Sequence, residues 1–230
     1  MKDERYLIVV AHPDDELLGC GATISKLKRK GCYVAICVLS CESSTRTDDI
    51  FHTMLKTHEA LGVDKTLTAS FGCMRFKDED HHTMVKFIEK AIKKTKPTTI
   101  ITHHPCDLHN DHYITSIVCQ EAARLPQRQI GYEKTLKRIM FMEVPSETDF
   151  ALNHAWGKFT PNYYIGVKKS DVKKKIDLLK EYDYVVRKAP HPRSEDNINA
   201  LPIVRGAESG LKRAEAFQIV FEIGEADEKD

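Results

Sequence analysis

Tyr6-Leu7-Ile8-Val9-Val10-Ala11-His12-Pro13-Asp14-Asp15-Glu16 is an apolar run that ends on an imidazole and three consecutive acids. The apolar part has the length and β-branched content of a buried strand. The acids suit the start of a helix, where Asp is a favoured cap and negative charge meets the positive end of the helix dipole. A strand therefore surfaces directly into a helix, the junction at which α/β proteins place their ligands.

The alternation continues outward from that stretch. Strands are predicted over 6–11, 33–39, 65–69 and 98–102, and helices over 17–30, 48–61 and 82–96, stopped by Gly31, Gly62 and Pro97. Such βα repeats form an α/β fold: a Rossmann-like, doubly wound, mostly parallel sheet with helices on both faces and right-handed crossovers. In strand order 3-2-1-4, the first and fourth strands are neighbours at the switch point. The fourth leads into His103-His104-Pro105-Cys106-Asp107-Leu108-His109-Asn110-Asp111-His112, so His12 and His112 meet although 100 positions separate them. Two clusters of imidazoles and carboxylates after two adjacent strands point to one metal site. That donor chemistry suits zinc, which in catalytic sites takes three protein ligands and leaves a fourth position to water.

Beyond residue 124 the pattern is less regular, with strands expected over 139–144 and 217–223 and a helix over 171–184. The Pro-rich stretch 189–202 reads as a surface loop and the lysine-rich 168–175 as a solvated face. The expected organisation is one domain over 1–230: a regular core over 1–124 carrying the metal site, a part completing the pocket and sheet over 125–222, and a charged tail over 223–230.

Composition narrows the function classes. With 35 Lys and Arg against 34 Asp and Glu, no global field recruits nucleic acid or an anionic membrane, so a small-molecule partner is expected. The amino terminus is too briefly apolar for a signal peptide or membrane span, which reads as cytoplasmic. The seven cysteines include no C-x-x-C pair, which argues against a disulfide framework and a cysteine zinc site.

Ala11-His12-Pro13-Asp14-Asp15-Glu16, followed by His109-Asn110-Asp111-His112, resembles the LmbE-like family, relatives of the N-acetylglucosaminyl-phosphatidylinositol de-N-acetylases. Pro161-Asn162-Tyr163 and Ala214-Glu215-Ala216-Phe217 resemble further landmarks, so the resemblance spans nearly the whole chain. It implies a Zn2+ site, with Fe2+ as the alternative ion, and hydrolysis of the N-acetyl group of an acetamido sugar or its conjugate. It also implies a homo-oligomer, which no motif specifies. Mapped onto this chain, the ligands are His12, Asp15 and His112. Asp14 is left beside the ion as general base, because consecutive residues at such a turn project in different directions. His109 would stabilise the oxyanion and protonate the leaving amine, with Asp111 orienting its imidazole.

The substrate side departs from the family. An Arg and a Glu common in the second helix are replaced here by Ile50 and Thr53, and an Asp common in the next loop by Cys73. Arg46 and Arg75 are the candidate substrate-binding cations. Asp107 is expected to shape its turn, His103 and His104 to support the ligands from behind or to be structural, and His52, His58, His81 and His82 to be solvated. Two other classes compete: a dinucleotide-binding oxidoreductase, disfavoured because the first turn lacks G-x-G-x-x-G, and a non-catalytic metal-binding sugar sensor. A metal-dependent amidase for another small amide is a nearer variant of the leading reading.

Overall fold

The computed structural model describes residues 4–41, 50–125, 135–151 and 157–224. Among the described residues, seven strands and six helices run in the order β1 (Arg5–Val10), α1 (Asp15–Arg29), β2 (Tyr33–Val38), α2 (Ile50–Leu61), β3 (Lys65–Thr68), α3 (His81–Thr95), β4 (Thr99–His103), α4 (Asn110–Ala123), β5 (Arg138–Met142), β6 (Tyr163–Gly166), α5 (Lys169–Leu179), α6 (Glu195–Glu208) and β7 (Ala214–Glu222). A 3-10 turn, Phe76–Asp78, precedes α3.

The sheet order is β3-β2-β1-β4-β5-β7-β6. The first five strands are parallel, as the βα alternation requires, and β7 is antiparallel to both β5 and β6. Alternate residues of one strand serve opposite faces. Ile8, Val10, Ile36 and Val38 pack with α1, α2 and α5, while Leu7, Val9 and Cys37 pack with α3 and α4. Helices on both faces explain why these strands read as continuous apolar runs. The strand order 3-2-1-4 holds, so the β1–α1 and β4–α4 junctions lie side by side.

The second half differs from expectation in three places. The four-residue strand β6 went unread. Residues 189–202 are not all loop, because α6 starts at Glu195 with Ser194 accepting from Asn197 N–H at 3.3 Å, and Pro202 lies inside the helix, buried. The lysine-rich segment is not uniformly solvated, since Lys175 is 4% exposed.

Lys175 belongs to a brace that reaches the site. Helix α1 is broken at Cys20, whose φ of −148° is not helical. Two amides just past the break, Ala22 N–H and Thr23 N–H, donate to the Glu215 carboxylate at 3.2 and 2.6 Å. Lys175 Nζ neutralises Glu215 at 2.8 Å and also donates to Leu18 O at 2.7 Å. The Ala-Glu-Ala-Phe landmark is therefore a cap for the kink in the helix that carries the acidic turn. Among the described residues no helix is long and apolar enough to cross a membrane.

Candidate metal centre

Strand β1 ends at Val10, and the turn that follows delivers His12, Asp14, Asp15 and Glu16 to the carboxyl edge of the sheet. Strand β4 ends at His103, and the next loop runs through Asp107 into α4, which begins beside His109, Asp111 and His112. One donor atom each from His12, Asp15 and His112 lies within 4.8 Å of the other two. Asp15 sits between the imidazoles, with Oδ2 3.5 Å from His12 Nδ1 and Oδ1 3.3 Å from His112 Nε2. Donors on tetrahedral zinc lie about 3.3 to 3.6 Å apart at ordinary Zn–N, Zn–O and Zn–S lengths.

The hydrogen bonds fix which nitrogens can give a lone pair. His12 Nε2 lies 3.0 Å from Asp111 Oδ2, and His112 Nδ1 lies 3.1 Å from Asp107 Oδ2. Each carboxylate holds a proton on the nitrogen it faces, so His12 Nδ1 and His112 Nε2 turn lone pairs toward Asp15. Lone pairs facing a carboxylate require positive charge between them. A divalent cation supplies it; otherwise protons must. Accordingly, burial opposes charge on His112 but the Asp15 carboxylate outweighs it and raises the imidazole to about 9. His12 is likewise held above its usual range, the bonds to Asp111 and Asp15 overcoming burial. The donor set thus fits a divalent ion such as zinc.

Around the donors, His103 Nε2 accepts the Ala11 N–H at 3.0 Å, and its ring stacks on His112 at 3.8 Å between centroids. Its Nδ1 faces Asp107 Oδ2 at 3.8 Å, and Asp107 Oδ1 receives the Thr148 hydroxyl at 2.7 Å. Asp107 therefore does more than shape a turn: it backs His112. Its position five residues ahead of His112 was the available signal. His104 is structural, accepting from Cys106 N–H at 3.2 Å and packed edge-on against Phe141 and Phe159.

Asp14 occupies the helix cap position but makes no capping bond through its side chain, so simple capping does not account for it. Its φ is 104°, and its N–H donates to Glu16 Oε2 at 3.2 Å. Glu16 is in turn 3.2 Å from His58 Nε2, and His58 Nδ1 is 2.8 Å from Thr66 Oγ1. His58, expected in solvent, is 2% exposed; it props the turn from α2. Burial first, and the Asp15 charge second, push the Asp14 carboxyl up to about 7.

His109 caps α4 with Nδ1, which accepts the Asp111 N–H at 3.1 Å, leaving the proton on Nε2. Burial, then the neighbouring His112 and His12 rings, lower it to about 4, so it stays neutral and donates through Nε2–H. The expected pairing of the Asp111 carboxylate with His109 is replaced by another: that carboxylate serves His12 and accepts Met74 N–H at 2.6 Å and Phe76 N–H at 3.2 Å. Arg75 is exposed on the loop so anchored. Arg46 lies outside the described residues. A cation that sequence reading missed is Arg193, held by Ser146 Oγ at 2.7 Å and Glu147 at 2.8 Å, with Nη1 4.0 Å from Asp14 Oδ2. It comes from the stretch read as a surface loop, and no local pattern marked it.

Fold and site together define an α/β protein with a cluster of His and Asp side chains that could hold a metal ion between two adjacent strand ends. The family model for the GlcNAc-PI de-N-acetylases, PIG-L, matches residues 7–123, and the chain belongs to that family. It is 29% identical over 189 residues to the uncharacterized deacetylase YaiS of Escherichia coli K12, covering 79% of this chain and 91% of that protein. The N,N'-diacetylchitobiose deacetylase of Pyrococcus horikoshii has the same fold, with a TM-score of 0.71 at 18% identity over 95% of this chain and 85% of that one. So has GalB of Pseudomonas putida KT2440, a 4-carboxy-2-hydroxymuconate hydratase, with a TM-score of 0.75 at 16% identity over 98% and 100% of the two chains.

Proposed function

We propose that the chain is a zinc-dependent hydrolase that removes the N-acetyl group from an N-acetylated amino sugar or its conjugate. The observation that carries this reading is the division of labour in one turn. Asp15 lies among imidazole lone pairs, while the adjacent Asp14 has a buried carboxylate with no capping bond. Family membership supports amide hydrolysis, and the name of the Pyrococcus horikoshii neighbour supports a sugar substrate.

His12 Nδ1, Asp15 and His112 Nε2 would hold the ion, which when bound lowers the pKa of a water to about 7 and polarises an acyl oxygen. Asp14 accepts the proton of the attacking water and returns it to the leaving amine nitrogen. A base of this kind contributes about 10²- to 10⁴-fold. His109, neutral with its proton on Nε2, donates a hydrogen bond to the acyl oxygen as negative charge develops there. This departs from the acid role expected from sequence, because an imidazole lowered to about 4 holds no spare proton at neutral pH. Asp107 and Asp111 fix the tautomers of the two ligand histidines, and Arg193, held by Glu147 and 4.0 Å from Asp14, adds a cation beside the base suited to sugar hydroxyls.

The test combines metal analysis of purified protein with acetate release from free, phosphorylated and nucleotide-linked N-acetyl amino sugars. About one zinc per chain with acetate release is the expected result. One zinc without release from any sugar would favour the sugar sensor or another amide, and no bound metal after reconstitution would overturn the reading.

A further inference from the structure

The first donor set uses only one edge of the His12 ring. Its Nδ1 faces Asp15, while Nε2 faces Asp111 at 3.0 Å. His12, Asp111 and Cys73 bring one donor atom each within 4.8 Å of one another. Tetrahedral zinc needs such atoms about 3.3 to 3.6 Å apart, so the set can close with movements of at most about 1.5 Å.

The thiol is held rather than merely nearby. Gly72 N–H donates to Glu79 Oε1 at 2.8 Å and Met74 N–H to Asp111 Oδ2 at 2.6 Å, so the backbone is tied on both sides of Cys73. Cys20, Cys32, Cys37 and Cys119 are buried, whereas Cys73 is only partly so and can be reached by an ion. A thiolate added to imidazole and carboxylate shifts preference toward thiophilic divalent ions and away from Mg2+ and Ca2+.

We propose that His12, Cys73 and Asp111 form a second, thiol-containing cation site that shares His12 with the first and inhibits the enzyme when filled. The inhibitory part rests on the hydrolase reading above. Binding releases two protons, one from Cys73 Sγ and one from His12 Nε2, and the sulfur and nitrogen lone pairs pass to the ion. The Asp111 oxygen then donates a lone pair to the ion instead of accepting from His12 N–H. The bond that orients the His12 ring toward the first set is thereby lost, and His12 either bridges two cations as an imidazolate or abandons the first.

Cobalt distinguishes the two sites, because thiolate ligation gives a near-ultraviolet charge-transfer band that oxygen and nitrogen ligands do not. Titration of the full chain with Co2+ should fill a first equivalent with weak visible bands only and a second with the charge-transfer band, and Cys73→Ser should lose the second alone. In parallel, inhibition of acetate release by excess zinc should weaken in Cys73→Ser by more than the roughly tenfold typical of losing an outer partner. A wild-type chain that binds one cobalt with no thiolate band would overturn the second site and leave the first intact. A band already present in the first equivalent would overturn it too, making Cys73 a ligand of a single ion, and a band retained by Cys73→Ser would assign it to another thiol. Failure of both proteins to bind cobalt would overturn this site and the hydrolase reading together.

Discussion

Replacing Asp107 by Asn should weaken zinc binding without disturbing the shape of the site. Asp107 is buried, with Oδ2 3.1 Å from His112 Nδ1 and Oδ1 accepting from Thr148 at 2.7 Å. The amide is isosteric. Its oxygen can still accept the His112 N–H, and its NH2 can donate to the Thr148 hydroxyl, so the His112 tautomer survives and only the charge is lost. A hydrogen bond to a charged group contributes about 1.5–3 kcal/mol and a neutral one about 0.5–1.5 kcal/mol. The hold on His112 should fall by about 1–1.5 kcal/mol, or roughly 5- to 10-fold in zinc affinity, the low end of the range for outer-shell changes. Asp107→Ala, which no longer fixes the tautomer, should cost about 100-fold. Competition with a chromophoric chelator on the intact chain measures both. Unchanged affinity in Asp107→Ala would refute His112 as a ligand. Unchanged affinity in Asp107→Asn with a fall in kcat would move Asp107 from support into the chemistry.

Asp14→Asn should keep about one zinc per chain and lose on the order of 10²-fold or more in kcat, measured by acetate release against metal content; full activity would remove Asp14 from the mechanism. Chelation should lower the melting temperature, since an ion at 100 times its Kd stabilises by about 2.7 kcal/mol, or roughly 5–10 °C for a chain of this size. A melting curve indifferent to chelator would deny the site that linkage. Lys175→Met should destabilise by about 3 kcal/mol, the low end for breaking a buried pair because Glu215 keeps its two amide donors, and urea unfolding unchanged from wild type would show that the brace contributes nothing.

The half of the fold that places the site was legible because its signals are local. Apolar runs of strand length, glycines at 31 and 62 and the proline at 97 mark where strands and helices begin and end, and right-handed crossovers leave few ways to order the strands. What was hidden depends on partners far along the chain. His58 and Lys175 read as surface residues because a histidine on a helix and a lysine in a lysine run usually are; only Glu16 and Glu215, 42 and 40 positions away, make them interior. Pro202 disguised α6, since a proline within a helix normally breaks it, whereas the Ser194 cap and the acids of the first turn favour the helix all the same. In the site, the juxtaposition of His12, Asp15 and His112 was legible from resemblance and topology. Two further partners of Asp111 were not, because they are the backbone amides of Met74 and Phe76 on a different loop.

Three consecutive acids have three different sets of partners because one strained residue turns them apart. Asp14 at φ 104° costs on the order of 1–3 kcal/mol for a residue other than glycine. The strain is offset by Glu16, which accepts the Asp14 N–H and is itself held by His58, and by Leu18 N–H, which donates to Asp14 O at 2.8 Å. Relaxing Asp14 into an ordinary capping geometry would commit its carboxylate to the helix amides, as happens at Asp80, which accepts the Thr83 N–H at 2.7 Å. Strain thus keeps the carboxylate available. Its level of about 7 comes from burial and from the Asp15 charge, and a cation bound at Asp15 cancels the second cause. Filling the metal centre would therefore leave Asp14 ionised at neutral pH, beside the water whose acidity the same ion increases.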